Sequence, residues 1–159
     1  MSKLRLQTSI VIALFIFSPS FAASPEPQSP RAKEVKALVD RAARVIDNKG
    51  KEAFPEFKKK GGEWYKGDTY LFVADMKGIT LVNAGFPDEE GKSRLDLKDP
   101  NGKMFVRDII EMLKKQDSGW IDYAWPKPGE TKPSSKTAYV KKAKLGKEIV
   151  YVGAGIYLD

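Results

Sequence analysis

Apolar positions change their period along this chain, and each change marks an element. Val35, Leu38, Val39, Ala42 and Ile46 recur at the i, i+3, i+4, i+7, i+11 spacing of one helix face. Ser29 stands where an N-cap belongs, Pro30 where a first helical residue needs no N–H donor, and Gly50 where the helix stops. A short second helix is predicted over Ala53 to Lys60, with Phe54 and Phe57 on one side and the run Lys58-Lys59-Lys60 as its solvated end. From Asp68 the period becomes two, which predicts a hairpin of Thr69 to Asp75 and Ile79 to Asn83 around Met76-Lys77-Gly78. Gly85 to Gly102 holds Pro87, Pro100 and many carboxylates and reads as a long polar loop folded over the outside. The helical period returns over Lys103 to Gln116 through Phe105, Val106, Ile109, Met112 and Leu113. Three strands follow: Trp120 to Trp125, Thr137 to Lys144 and Glu148 to Leu158, the last two joined at Leu145-Gly146-Lys147. Pro126-Lys127-Pro128-Gly129 is too rigid to continue a strand. Helix, helix, two strands, helix, three strands is the order of an α+β domain, a five-stranded antiparallel sheet with helices packed on one face.

The first residues follow another logic. Lys3 and Arg5 precede the apolar run Ile10 to Phe17, then Pro19 and Ser20-Phe21-Ala22, the layout of a secretory signal peptide over residues 1–22. The run is far shorter than the roughly 20 residues needed to span a bilayer core. Ala23 is the expected first mature residue. Residues 23–32, with Pro25 and Pro27, read as an extended linker, and residues 33–159 as a single domain. No second hydrophobic span follows, so the mature chain is expected to be soluble and periplasmic or secreted, where nucleic acid, ATP and NAD are scarce.

Composition narrows the chemistry further. At 159 residues there is room for one core. With no His and no Cys, Ser-His-Asp and Cys-His catalysis, thiolate redox work and the usual zinc, copper and haem ligand sets are excluded, and no cofactor is expected. The same absence predicts folding and binding that are flat between about pH 6 and 8. A formal charge of +7, softened once Lys3 and Arg5 leave with the signal, suits an anionic small molecule or an anionic surface. Asp96, Asp99 and Asn101 could contribute to a cation site, but Asp99-Pro100-Asn101-Gly102 lacks the alternating ligands of a calcium loop and also reads as a turn into a helix. Gly153 and Gly155 lie inside a strand with no helix behind them, which rules out a nucleotide loop and predicts a bend or a close backbone approach. Paired carboxylates from the acidic loop are the enzyme alternative, though nothing places two of them across one cleft. A structural or adhesive partner-binding protein is another.

Aromatic residues are the denser signal. Most lie on predicted strands, and a buried tyrosine needs a hydrogen-bond partner. Tyr123 shares a face with Trp125, and Tyr70 with Phe72. Lys136, Lys141 and Arg107 are the cations at strand edges, and Lys136 directly follows the proline loop; a solvent-facing lysine on an edge strand is the other reading.

Gly119-Trp120-Ile121-Asp122-Tyr123-Ala124-Trp125-Pro126, then Lys136-Thr137-Ala138-Tyr139-Val140-Lys141, then Val152-Gly153-Ala154-Gly155-Ile156-Tyr157 resembles, in that order, a single Cache domain, a PAS-like extracellular sensor module. Tyr70-Leu71-Phe72-Val73-Ala74-Asp75 with Gly78 is similar to the family's first hairpin, and Asp99 to Phe105 with Val106-Arg107 to its helix entry. The resemblance covers nearly all of residues 33–158. It implies a long N-terminal helix packed on a five-stranded antiparallel sheet, with a pocket for a small ligand, often a short organic acid. Carried over by position, the implied pocket residues are Trp64, Tyr70, Tyr123, Trp125, Lys136 and Tyr139, with Lys136 as the carboxylate partner. Receptor members continue into a transmembrane helix and an output domain, whereas this sequence ends at Asp159, so the expectation is a stand-alone exported binding module, without catalysis, that reports to a separate membrane-bound signalling partner.

Overall fold

The computed structural model describes residues 23–158; the signal peptide read at residues 1–22 lies outside the described residues. Helix α1 spans Pro30–Lys49, with the Ser29 hydroxyl accepting from the Ala32 amide at 3.1 Å and Gly50 closing it at φ 60°, a conformation that favours glycine. The second helix is shorter than its lysine run predicted. A 3₁₀ turn at Gly50–Ala53 leads into α2, Phe54–Phe57, and the three lysines lie beyond its end.

Strands β1 (Tyr65–Lys66) and β2 (Thr69–Tyr70) form a small sheet of their own. The strand predicted over Thr69 to Asp75 therefore divides at Leu71, where the chain leaves the small sheet for the main one. The main sheet holds β3 (Phe72–Asp75), β4 (Thr80–Asn83), β5 (Ser118–Pro126), β6 (Pro133–Leu145) and β7 (Glu148–Tyr157). It is antiparallel throughout, in the order β4-β3-β7-β6-β5.

The helices do not share one face. α1 lays Val35, Val39, Ala42 and Ile46 against Val150, Val152, Ala154 and Ile156. Helix α3, Phe105–Lys115, covers the opposite face, where Val106, Ile109 and Leu113 meet Ile121, Ala138, Val140 and Tyr151. This corrects the one-faced arrangement, and the reason lies in β7. Its residues Val150 to Tyr157 are buried without alternation, as a central strand covered on both sides must be. Among the described residues no helix is long and apolar enough to cross a membrane.

Other parts of the chain bond to both outer edges of the sheet, and the long loop after β4 reaches both. Along β4, the Thr80 amide donates to Lys92 O and Thr80 O accepts from Gly91. The loop then crosses the α3 face to β5, where Asp99 accepts from the Ala124 amide at 3.0 Å. Further along β5 the segment read as a linker is docked: the Ser24 amide donates to Trp120 O at 2.8 Å and its hydroxyl accepts from the Asp122 amide. Unpaired strand edges invite intermolecular pairing, so these contacts both close the domain and protect it.

Asp99 is the pivot of that cover. Its other oxygen accepts from the Asn101 and Lys103 amides, both at 2.9 Å. Burial alone would raise its carboxyl, but the three amide donors outweigh burial and hold it below the usual carboxylate range. Both oxygens are thus directed at backbone rather than at a cation, and Asp96 pairs with Arg107. Among the described residues no group of three or more acidic side chains could hold a metal ion. Asp99→Ala is expected to cost about 2–3 kcal/mol, read as a lowered midpoint in urea unfolding. Because the native carboxyl titrates below its unfolded value, the contribution is complete above about pH 4 and fades as pH falls through the native value, so the gap between parent and variant should close in acid. An equal midpoint at neutral pH would show that the loop is held by other contacts.

Candidate functional site

Register brings the site together. Tyr123 on β5, Lys136 on β6 and Tyr157 on β7 are direct neighbours across three strands, so all three side chains rise from the α3 face in one row. Lys136 is not on the solvent edge; it is only 1% exposed. Its Nζ donates to the Tyr70 hydroxyl at 3.0 Å and lies 4.3 Å from the Tyr70 ring centre and 4.9 Å from that of Tyr157. The rings of Phe72 and Tyr123 stand 5.8 Å away. No carboxylate reaches it among the described residues.

Glycine makes room for this lysine. A Cβ at Gly155 would stand 2.3 Å from Lys136 Cε, and one at Gly153 would stand 2.4 Å from Phe72 Cζ. The close approach expected of these glycines is therefore the lysine stem and a phenyl ring lying flat on the centre of the sheet. Burial pushes the Lys136 ammonium down to about 7, partly opposed by the carboxylate of Asp68. Against the flat pH response expected from the lack of His and Cys, this buried amine is a group whose surroundings bring it into that range. Burial also pushes the phenols of Tyr70 and Tyr123 well up and that of Tyr157 to about 12, so all three remain neutral hydroxyls. The Tyr157 hydroxyl donates to Pro126 O and lies 3.5 Å from that of Tyr70.

Tyr70, Phe72 and Tyr123, three of the rings around the amine, also line a cavity of about 50 Å³, the size of a few waters or a very small organic molecule, to which Lys136 itself does not contribute a wall. Its aromatic end is a chain of ring contacts. Tyr70 meets Phe86, Phe86 meets Trp125, Trp125 meets Phe105, and Phe105 stacks on Tyr123 at 4.3 Å. Its polar end holds Thr80, Asn83, Glu89 and Arg94.

Four of the six residues singled out in the sequence thus meet: Tyr70, Tyr123, Trp125 and Lys136. The other two lie across the sheet. Tyr139 is three residues from Lys136, an odd step that turns it to the α1 face, where it packs on Trp120 at 5.3 Å beneath the Lys36 ammonium. Trp64 packs on Phe57 at 5.1 Å, beside Arg41 and on the α1 side. The competing cations are neutralised elsewhere, Lys141 by Asp40 at 2.8 Å and Arg107 by Asp96. Phe86, Phe105 and Arg94 escaped the sequence reading. Phe86 and Arg94 sit in a loop read only for its charge, and Phe105 was read as helix core. The one available signal was Phe86, an isolated aromatic in a polar loop.

With this geometry in hand, similarity to known proteins becomes informative. The Cache domain family matches residues 59–159. Methyl-accepting chemotaxis protein CtpM of Pseudomonas aeruginosa is 30% identical over 126 residues, 79% of this chain and 21% of its own length. Sensor histidine kinase MctS of Rhizobium johnstonii is 34% identical over 60% of this chain and 20% of its own length. The chain therefore spans about a fifth of these relatives. Among solved structures, a methyl-accepting chemotaxis protein from Vibrio parahaemolyticus superposes with a TM-score of 0.66 at 30% identity, covering 81% of this chain and 89% of the other. A Cache chemosensory domain studied for carboxylic acid recognition has a TM-score of 0.70 at 24% identity, covering 81% and 94%, and shares the fold.

The packing of Lys136 on Gly155 is open to direct test. Gly155→Ala is expected to destabilise the fold by about 1–3 kcal/mol through overpacking and to expose the amine. Amine labelling read by mass spectrometry should find Lys136 protected in the parent and modified in the variant. Unchanged stability with unchanged protection would mean that the stem yields without cost.

Proposed function

Because the chain belongs to the Cache domain family and buries a lysine with no acidic partner, we propose that it is an exported ligand-binding sensor module that holds the carboxylate of a small organic acid at Lys136. The carrying observation is the unpartnered ammonium. A buried charge is stable only when paired or hydrogen-bonded, and Lys136 has one hydroxyl and four π faces where an anion belongs. The incoming carboxylate accepts from Nζ and from the Tyr70 hydroxyl, while Tyr123, Trp125 and Phe105 enclose its carbon chain. The small cavity favours a short acid. The site binds without catalysis: its polar groups are an ammonium and neutral phenols, and the acids of the loop are engaged with backbone amides, lysines and arginines. The signal-like residues 1–22 support export to the periplasm or the exterior, and the chemoreceptor and kinase relatives support signalling through a membrane-bound partner.

Lys136→Met keeps most of the stem and removes the charge. Titration calorimetry against a panel of short carboxylates should show affinity falling by about 2–4 kcal/mol, while the ligand-free variant unfolds no earlier than the parent, since a buried unpaired charge has gone. Retained affinity would assign the carboxylate to another group.

The pH dependence has two opposite signs. Unfolded Lys136 holds its proton to about its ordinary value of 10.5, whereas the folded, ligand-free amine releases it near 7. Between these values the unfolded chain binds more protons, so ligand-free stability should rise with pH across that window, the cost of the buried ammonium being complete below it and gone above it. A bound carboxylate needs the ammonium, so affinity should weaken by up to about tenfold per pH unit above 7, with proton uptake on binding. Calorimetry in buffers of different ionisation enthalpy measures that uptake. An affinity constant from pH 6 to 9 would exclude Lys136 as the titrating partner.

A further inference from the structure

The polar end of the cavity contains an arginine that the carboxylate site does not use. The Arg94 amide donates to Gly78 O at 2.8 Å, which fixes the loop against the β3–β4 turn. One terminal nitrogen of its guanidinium pairs with Glu89, and both side chains line the cavity. Its Nε–H is fully buried and has no acceptor among the described residues. Most buried donors in native proteins are satisfied, so an orphaned N–H in a cavity wall marks where an oxygen belongs. Buried Thr80 and Asn83 make that end polar, whereas the floor at Phe72, Val106 and Ile109 is apolar.

We propose that Arg94 is a second ligand contact, and that the cavity selects short acids bearing a further uncharged oxygen, a hydroxyl or carbonyl, over plain alkanoates and over dicarboxylates. The inference rests on the carboxylate reading of Lys136 and requires the ligand to reach from the amine past the rings of Tyr70, Phe72 and Tyr123, which touch both the amine and the cavity, to Arg94. The charge balance decides between the classes. Lys136 pairs with no carboxylate among the described residues and takes the carboxylate of the ligand, but Arg94 is already neutralised by Glu89, so a second carboxylate there would face the acid. An uncharged acceptor satisfies Nε–H without that repulsion. A plain alkanoate leaves the donor unpaired, and a site built to hydrogen-bond an oxygen discriminates strongly against an analogue that lacks it.

The test is titration calorimetry of the full chain with three- and four-carbon acids: each plain alkanoate, its hydroxy and oxo analogues, and the dicarboxylate of equal length. At least one oxygenated acid should bind ten times or more tighter than its plain parent and tighter than the dicarboxylate. In Arg94→Lys and Arg94→Leu, each checked for folding by thermal melting, the ratio of oxygenated to plain acid should collapse to within about twofold. Lysine keeps the charge but has no N–H at the Nε position, so loss of the ratio in both variants assigns the effect to that donor. Glu89→Gln should improve the dicarboxylate relative to the hydroxy acid. Acid binding without this preference in the parent, or a preference that survives both Arg94 variants, overturns the role of Arg94 and leaves Lys136 standing. If no acid of the panel binds, the carboxylate reading itself fails.

Discussion

Lys136 pays for its burial in desolvation, and the surroundings return only part of that cost. A lysine ammonium removed from water loses a large hydration energy, and protein interiors normally answer with a carboxylate. Here the answer is four aromatic faces and one phenol. Cation–π attraction and a single hydrogen bond recover a few kcal/mol at most, which is why the amine is held near 7 rather than near 10.5. Much of the α3 face serves this arrangement. Glycines at 153 and 155 clear the floor, the break at Leu71 releases Tyr70 to stand over the amine, and the hydroxyl of Tyr157 is anchored on Pro126.

The roof of the site and the closure of the sheet are one structure. The loop that follows β4 carries Glu89 and Arg94 to the cavity and packs Phe86 on the rings of Tyr70 and Trp125, then delivers Asp99 to the amide of Ala124, between Tyr123 and Trp125. Covering a strand edge and shaping a ligand wall are thus achieved by the same backbone. Ser24 docks on β5 beside the same wall, so the chain leading into α1 also rests on a strand that lines the cavity.

The lack of imidazole gives the charge of this lysine particular weight. Without His or Cys, a side chain shifted by its surroundings is what can respond near neutral pH, and desolvation moves Lys136 into that range. In the proposed complex, ligand and proton act on one nitrogen. The anion favours the ammonium, and the empty cage favours the free amine. The two effects oppose each other in stability and cooperate in binding.

The sequence by itself determined the elements and their alternation. The α1 stripe with its Ser29 cap, the α3 stripe, the long terminal strands and the shared face of Tyr123 and Trp125 follow from local periodicity and hold in the fold. Alternation also contained a warning about Tyr139, since an odd step from Lys136 puts it on the other face. What only the tertiary structure decided are quantities that depend on neighbours distant in sequence. That helices cover both faces, that Lys136 is buried rather than at an edge, that Trp64 faces away, that Phe86 packs on Tyr70 and Trp125, and that Arg94 enters the cavity all depend on strand order and on the path of one loop. The physical reason is the range of the forces involved. Helix and strand periods are set within a few residues by backbone geometry, whereas desolvation depends on everything that packs around a group, so the burial and charge of Lys136 exist only once β5, β6, β7 and the chain carrying Tyr70 have come together.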